Sequence, residues 1–126
     1  MTAPRFEPTS GGPGPRVEGF AGRGFVVGGE VFQGLLMTPE RALAWAAPAL
    51  GDLALADVAP LLALDPAPEF LLLGTGPAQA FPSRAFVAAL EDKGIGVEAM
   101  GSRAAARTWG LLRGEGRWIV AALLPL

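Results

Sequence analysis

An α/β fold is expected from three observations. Residues 70–76 read FLLLGTG, an apolar run stopped by a Gly-Thr-Gly turn and Pro77, the pattern of a strand buried on both faces. Beyond that run, helical and strand periodicities alternate to the last residue. Before it, the chain is Gly-rich and reads as short strands joined by tight turns.

Each element has a local reason. Residues 1–15 (MTAPRFEPTSGGPGP) are rich in Pro, Gly, Ser and Thr and are expected to form a disordered tail ahead of a single α/β domain, residues 16–126. From Val17 to Phe20 apolar and polar positions alternate, Gly22-Arg23-Gly24 makes a turn, and Phe25-Val26-Val27 is extended again. Gly28-Gly29 is a two-residue hairpin signal, and EVFQGLLM (residues 30–37) follows, so residues 17–37 read as a β-meander of about three strands. Thr38-Pro39 ends it. In residues 41–47 the Ala content favours a helix, yet Leu43 and Trp45 alternate as in a strand, and the strand reading is preferred.

Asp57 is placed to cap a short helix through Leu64, with Pro60 in its first turn, where a missing N–H matters little. Leu61, Leu62 and Leu64 would then face the sheet. After FLLLGTG, Ser83 is expected to cap a helix to Lys93 that carries Phe86, Val87 and Leu90 on one face, with Gly94 beyond its end. Residues 95–100 (IGVEAM) are the next strand. Ser102 would cap a helix with Ala105, Trp109 and Leu112 on one stripe, ending at Gly114. Residues 117–124 (RWIVAALL) form a last strand buried on both faces.

Composition narrows the chemistry. The 126 residues are 51% hydrophobic and 17% charged, enough apolar material for one core. The net charge of −2 and scattered basic residues leave no electrostatic footprint for nucleic acid. Cys, His and Tyr are absent and Lys93 is the one lysine, which excludes disulfides, thiolate nucleophiles, Ser-His-Asp catalysis and His- or Cys-ligated metal. Neither a metal nor a cofactor is expected. The Ala/Leu-rich residues 42–64 are broken by Pro48, Gly51, Asp52, Asp57 and Pro60, so they do not read as a membrane span. No signal or transit design opens the sequence, and a cytoplasmic location is the default.

Two constellations are candidate sites. Gly74, Thr75 and Gly76 lie at the carboxyl end of the presumed central strand, where open α/β sheets bind ligands. Backbone N–H groups there can approach an anion. However, Gln79 occupies the position of a third fingerprint glycine, Pro77 removes one N–H and no Walker lysine follows, so a tight structural turn is the simpler reading. The second constellation is Ser102, Arg103, Arg107, Thr108, Glu115 and Arg117. Arg103 and Arg107, at i and i+4, repel unless an acid or an anion sits nearby. A salt bridge tying helix to strand is the plainer reading, and an anion or partner cleft lined by Arg107 and Arg117 the sharper one. Glu98 is a candidate buried acid, with a solvent-facing edge position as the plainer alternative. Asp52, Asp57 and Asp65 read as caps and loops, and Trp45, Trp109 and Trp118 as packing residues.

Taken together, FLLLGTG, GIGVEAM and AAARTWGLLRGEGRWIVAALLP resemble the respiratory complex I assembly factor 3 family and its small, uncharacterised bacterial and archaeal single-domain relatives. The matching motifs are Gly74-Thr75-Gly76, residues 94–98, residues 104–109, and Glu115-Gly116-Arg117 leading to Pro125; the likeness covers about residues 16–126. The chain departs from the family at Gly101-Ser102, where Asp-Thr is usual, and at Gly110, where Asn is usual. The resemblance implies a three-layer α/β fold with a mixed central sheet whose last strand runs antiparallel. It also implies no established catalysis and a protein partner among respiratory-chain or membrane-biogenesis components. The functional expectation is a non-enzymatic binding or assembly module. The alternative is a binder of, or enzyme acting on, a small anionic ligand such as a phosphate or nucleotide, held near Gly74–Gly76 and Arg107.

Overall fold

Leu71, Leu72 and Leu73 are buried at the centre of the molecule, and the rest of the chain is layered on them. The computed structural model describes residues 14–126, so most of the expected tail lies outside the described residues. Within them, the Pro15 carbonyl already accepts the Trp109 indole N–H at 2.8 Å.

The meander is a three-stranded antiparallel sheet, β1 (Gly19–Ala21), β2 (Gly24–Val27) and β3 (Glu30–Phe32), in that order. Gly28 and Gly29 adopt φ of +58° and +83°, the left-handed conformations a tight hairpin of this hand requires. The expected single strand over residues 30–37 is in fact two. The chain bends at Gln33-Gly34, and β4 (Leu35–Met37) leaves the meander for the central sheet. Hydropathy explains the split: Leu35, Leu36 and Met37 are all buried, whereas Glu30 and Val31 are exposed. Gly34 sits so close to the backbone that an added Cβ would lie 2.4 Å from the Trp45 carbonyl oxygen.

The strand expected within residues 41–47 is β5 (Ala42–Ala44), antiparallel to β4 at the sheet edge. The helix expected from Asp57 begins differently. Leu55–Val58 is a 3-10 turn that runs into α1 (Ala59–Leu62). Asp57 lies inside that turn and reaches back to accept the Ala54 N–H at 2.9 Å, so it closes the turn and does not cap a helix start. Pro60 falls in the first turn of α1, and Leu61 is fully buried.

Next come β6 (Phe70–Gly74), α2 (Arg84–Glu91), β7 (Gly96–Met100), α3 (Ser102–Gly114) and β8 (Val120–Leu123). Ser83 caps α2 as expected, its hydroxyl accepting the Phe86 N–H at 3.1 Å, and Gly94 follows with φ of +78°. The five-stranded sheet has the order β5-β4-β8-β6-β7. Its last strand corrects one expectation: β8 runs parallel to β6 and antiparallel to β4, so the strand that opposes the parallel set is β4. The α3 crossover returns the chain to the amino end of the sheet, and a strand entering there must run the same way as β6.

Alternate leucines of β6 separate the two cores. Leu71 and Leu73 pack with Phe86 and Leu90 of α2 and with Leu61 of α1. Leu72 packs on the opposite face with Trp109 of α3 and Phe25 of the small sheet. The result is three layers: α1 and α2, the mixed sheet, then α3 with the meander. Among the described residues no helix is long and apolar enough to cross a membrane.

Candidate functional site

The chain passes from β6 to β7 on one side and then back across β6 to β8 on the other, with α2 and α3 on opposite faces. The gap between the carboxyl ends of β6 and β8 is therefore the topological switch point, the place where open α/β sheets form a ligand crevice. Gly74, Thr75 and Gly76 lie there, as the sequence indicates.

That crevice is occupied by the protein itself. Ser102 does not cap α3; the N-cap is Gly101, and no side chain caps the helix. The Ser102 hydroxyl, fully buried, accepts the Gly76 N–H at 2.9 Å and donates to the Leu124 carbonyl at 2.7 Å. The Ser102 N–H donates to the Gly76 carbonyl at 2.8 Å. One residue thus staples the turn after β6 to the end of β8. Gly74 is needed for the approach, since a Cβ there would lie 2.7 Å from both the Ser102 Oγ and a Leu123 methyl.

Thr75 is equally committed. Its N–H donates to the Met100 carbonyl at 2.8 Å. Its hydroxyl lies 2.8 Å from the Ala78 carbonyl and 3.1 Å from the Met100 carbonyl, and it accepts the Ala80 N–H. The donors that would cradle an anion are therefore spent: the Thr75 N–H on β7, the Gly76 N–H on Ser102, and Pro77 has none. A buried backbone donor with a partner at 2.8–2.9 Å gains little by exchanging it for a ligand.

The other candidate residues separate along α3. Thr108 is half-buried, 3.5 Å from the Met100 sulfur, and Arg107 is exposed. Arg103 stacks over the Phe20 ring at 4.7 Å. Glu115 and Arg117 follow the far end of this 13-residue helix, about 20 Å from Ser102 along its axis. The structure therefore brings Gly74, Thr75, Gly76 and Ser102 together but does not bring Arg107 and Arg117 into one cleft. Glu98, the other candidate acid, is exposed on the edge strand β7.

Arg117 makes a salt bridge, but not the helix-to-strand one expected: it ties the residue ahead of β6 to the segment entering β8, with a partner that local spacing did not reveal. Its Nη2 and Nε lie 2.7 and 3.0 Å from one oxygen of Glu69, and the other oxygen accepts the Trp118 N–H at 3.1 Å. Those bonds hold the Glu69 carboxyl below its usual value, with the Arg117 hydrogen bond the largest cause, and they raise Arg117. A depressed acid stabilises the fold above its unfolded pKa of 4.5 and loses that contribution as pH falls through the lower folded value. Glu69→Gln should therefore lower stability slightly at neutral pH, and in denaturation series the difference from the parent should shrink as pH falls below 4.5 and vanish only below the lowered folded value. The effect is small because both side chains are well exposed.

Three further residues escaped sequence reasoning. Arg113 is buried and donates to the Arg117 carbonyl; burial first, and then the Arg16 charge, lower its pKa. Phe81 is 80% exposed and Leu111 is 68% exposed. Only Phe81 carried a signal, as an aromatic residue in the Pro-flanked loop PAQAFP, which cannot enter a core strand.

Comparison with known proteins agrees with this geometry. A crystal structure from Bordetella parapertussis superposes with a TM-score of 0.80 at 34% identity, covering 90% of this chain and 97% of that one. An NMR structure from Xanthomonas campestris gives 0.75 at 36% identity, covering 90% and 86%. A Bordetella pertussis protein described as a Mth938-like domain gives 0.74 at 32% identity, covering 88% and 85%. In sequence, the chain is 35% identical over 125 residues to an uncharacterized protein of Rhodobacter capsulatus, covering 98% of this chain and 94% of that one. It is 29% identical over 110 residues to the bovine NADH dehydrogenase [ubiquinone] 1 alpha subcomplex assembly factor 3, covering 86% of this chain and 60% of the bovine protein. With residues 17–124 matching its pattern, from the meander to the end of the last strand, this chain belongs to the DUF498/DUF598 family of proteins of unknown function.

Proposed function

We propose that this chain is a non-catalytic, cytoplasmic protein-binding domain that assists assembly of a respiratory NADH:ubiquinone oxidoreductase. The observation that carries the non-catalytic part is the staple at the switch point: Ser102 fills the crevice, and the donors of the Gly74–Gly76 turn are already bonded. The name of the bovine relative supports the assembly role. The contact surface we assign is the exposed side of α3, where Arg107 and Leu111 lie one turn apart, with Thr108 at its margin. Glu115 and Arg117 stand outside that surface.

Affinity capture with the tagged full chain from its native host should recover a respiratory-chain or membrane-biogenesis protein, and Arg107→Ala should weaken the recovery. Capture that repeatedly yields neither class would sink the assembly role. The second reading, a small anion held by Gly74–Gly76 and Arg107, is tested by a thermal-shift panel of nucleotides and phosphorylated metabolites. A ligand at a hundredfold its dissociation constant would add about 2.7 kcal/mol. A flat panel is expected, and a shift abolished by Arg107→Ala would replace the first reading with the second.

A further inference from the structure

The outer face of α2 is unusual in both its apolar and its charged residues. A shallow groove of about 440 Å³ runs beside the helix, floored by Val87 and Ala88 and overhung by Phe81. A Phe at 80% exposure is a large apolar side chain left in water. The groove is flanked by Arg84 and Glu91, the first and last residues of α2, which lie on one stripe with Ala88.

Both charges oppose the helix. A cation in the first turn and an anion in the last face the like-signed ends of the macrodipole, each at a small cost to helix stability. Neither makes an ion pair or side-chain hydrogen bond among the described residues. Among the described residues, then, both charges work against their own helix and neither is offset by a partner. Their placement is also self-complementary: the same helix turned end for end sets a cation against each anion and an anion against each cation. Only a partner with this charge order at this spacing satisfies both ends, and a second copy has it by construction.

We propose that α2 is the contact of a two-fold symmetric dimer. Two copies pack their α2 helices antiparallel, with Arg84 of each against Glu91 of the other and Val87 and Ala88 at the axis. An isologous interface requires this reciprocity, with the residue that one copy offers received by its mate. Ala85 and Ala88 are both exposed on this face, and their small side chains let the helix axes approach to about 8 Å. Phe81 then lies over the last turn of the facing α2. The antiparallel arrangement also sets the two helix dipoles head to tail. Because α2 and α3 lie on opposite faces of the sheet, this pairing leaves the Arg107 surface free. The dimer does not depend on the assembly role proposed above.

The test is the oligomeric state of the full chain by sedimentation, followed to about 1 mM because an interface this small belongs to the weak class. Arg84→Glu and Glu91→Arg should each weaken self-association by about tenfold, since either change turns both reciprocal pairs repulsive. An equimolar mixture of the two variants should associate again, because a mixed dimer restores both attractive pairs. Phe81→Ser should weaken association without altering the charge pattern. All three positions are exposed, so circular dichroism should match the parent. Melting should match it for Phe81→Ser and sit level with or slightly above it for the two charge reversals, which suit the helix dipole better. A chain that stays monomeric up to about 1 mM overturns the proposal, and this is also the outcome if the face takes a helix of a different protein. A dimer indifferent to both charge reversals overturns it as well, and moves the contact elsewhere, such as the β5 edge.

Discussion

Replacing Trp109 with alanine is expected to destabilise the protein by about 3–5 kcal/mol, the largest effect of any single truncation considered. Trp109 is fully buried between α3 and the sheet, packed among Leu72, Phe25, Met37 and Ile119. Its indole N–H also holds the Pro15 carbonyl, 94 positions away. Truncation leaves a cavity at the junction of α3, the central sheet and the meander, and it orphans the Pro15 carbonyl. In urea denaturation the midpoint should fall with the slope unchanged. Trp118→Ala is the comparison. That residue is half-buried and bonds the Pro66 carbonyl, so its loss should cost less than half as much. Equal costs for the two would mean that Trp109 does not join the meander to the sheet.

Ser102→Ala should cost about 2–4 kcal/mol, although it removes a single oxygen. The hydroxyl is the acceptor of the Gly76 N–H and the donor to the Leu124 carbonyl, and both groups lie where water does not reach. Deleting it leaves one buried donor and one buried acceptor without that partner, and each such loss costs about 1–3 kcal/mol. Thr108→Ala, on the same helix, gives up only a long contact with the Met100 sulfur and should change stability by less than about 0.5 kcal/mol. The pair separates two roles for the turn. If Ser102 is a staple, its loss appears as a lower denaturation midpoint. If it were a ligand group, stability would hold and binding would change.

The strands and helices were legible where the signal was local. FLLLG is a buried strand because four apolar residues end in turn formers, and Ser83 caps α2 because its hydroxyl needs only the N–H three residues on. The hairpin at Gly28-Gly29 was legible for the same reason. The boundary at Gly34 was not, because a meander strand and a central strand share one run, EVFQGLLM, and only the sheet that receives each half tells them apart. Asp57 kept the character of a capping residue but served the turn behind it.

The candidate site shows the same division. Ser102 stood out as a helix-start hydroxyl, yet a cap and a staple are the same residue in sequence. Which one it becomes depends on whether Gly76 and Leu124 converge on it. Arg117 was marked as an ion-pair residue, and its partner, Glu69, lies 48 positions earlier.

By itself, then, the sequence determined the strands and helices whose signal is local, which faces are apolar, and which catalytic groups the protein lacks, because periodicity, run length and residue inventory are properties of neighbours along the chain. Tertiary structure alone decided the direction of β8, the closure of the crevice by Ser102 and the pairing of Arg117 with Glu69. Each of these is a hydrogen bond or a register between segments far apart in sequence, and such a partner is chosen by packing, where burial leaves no polar group free to stay unpaired.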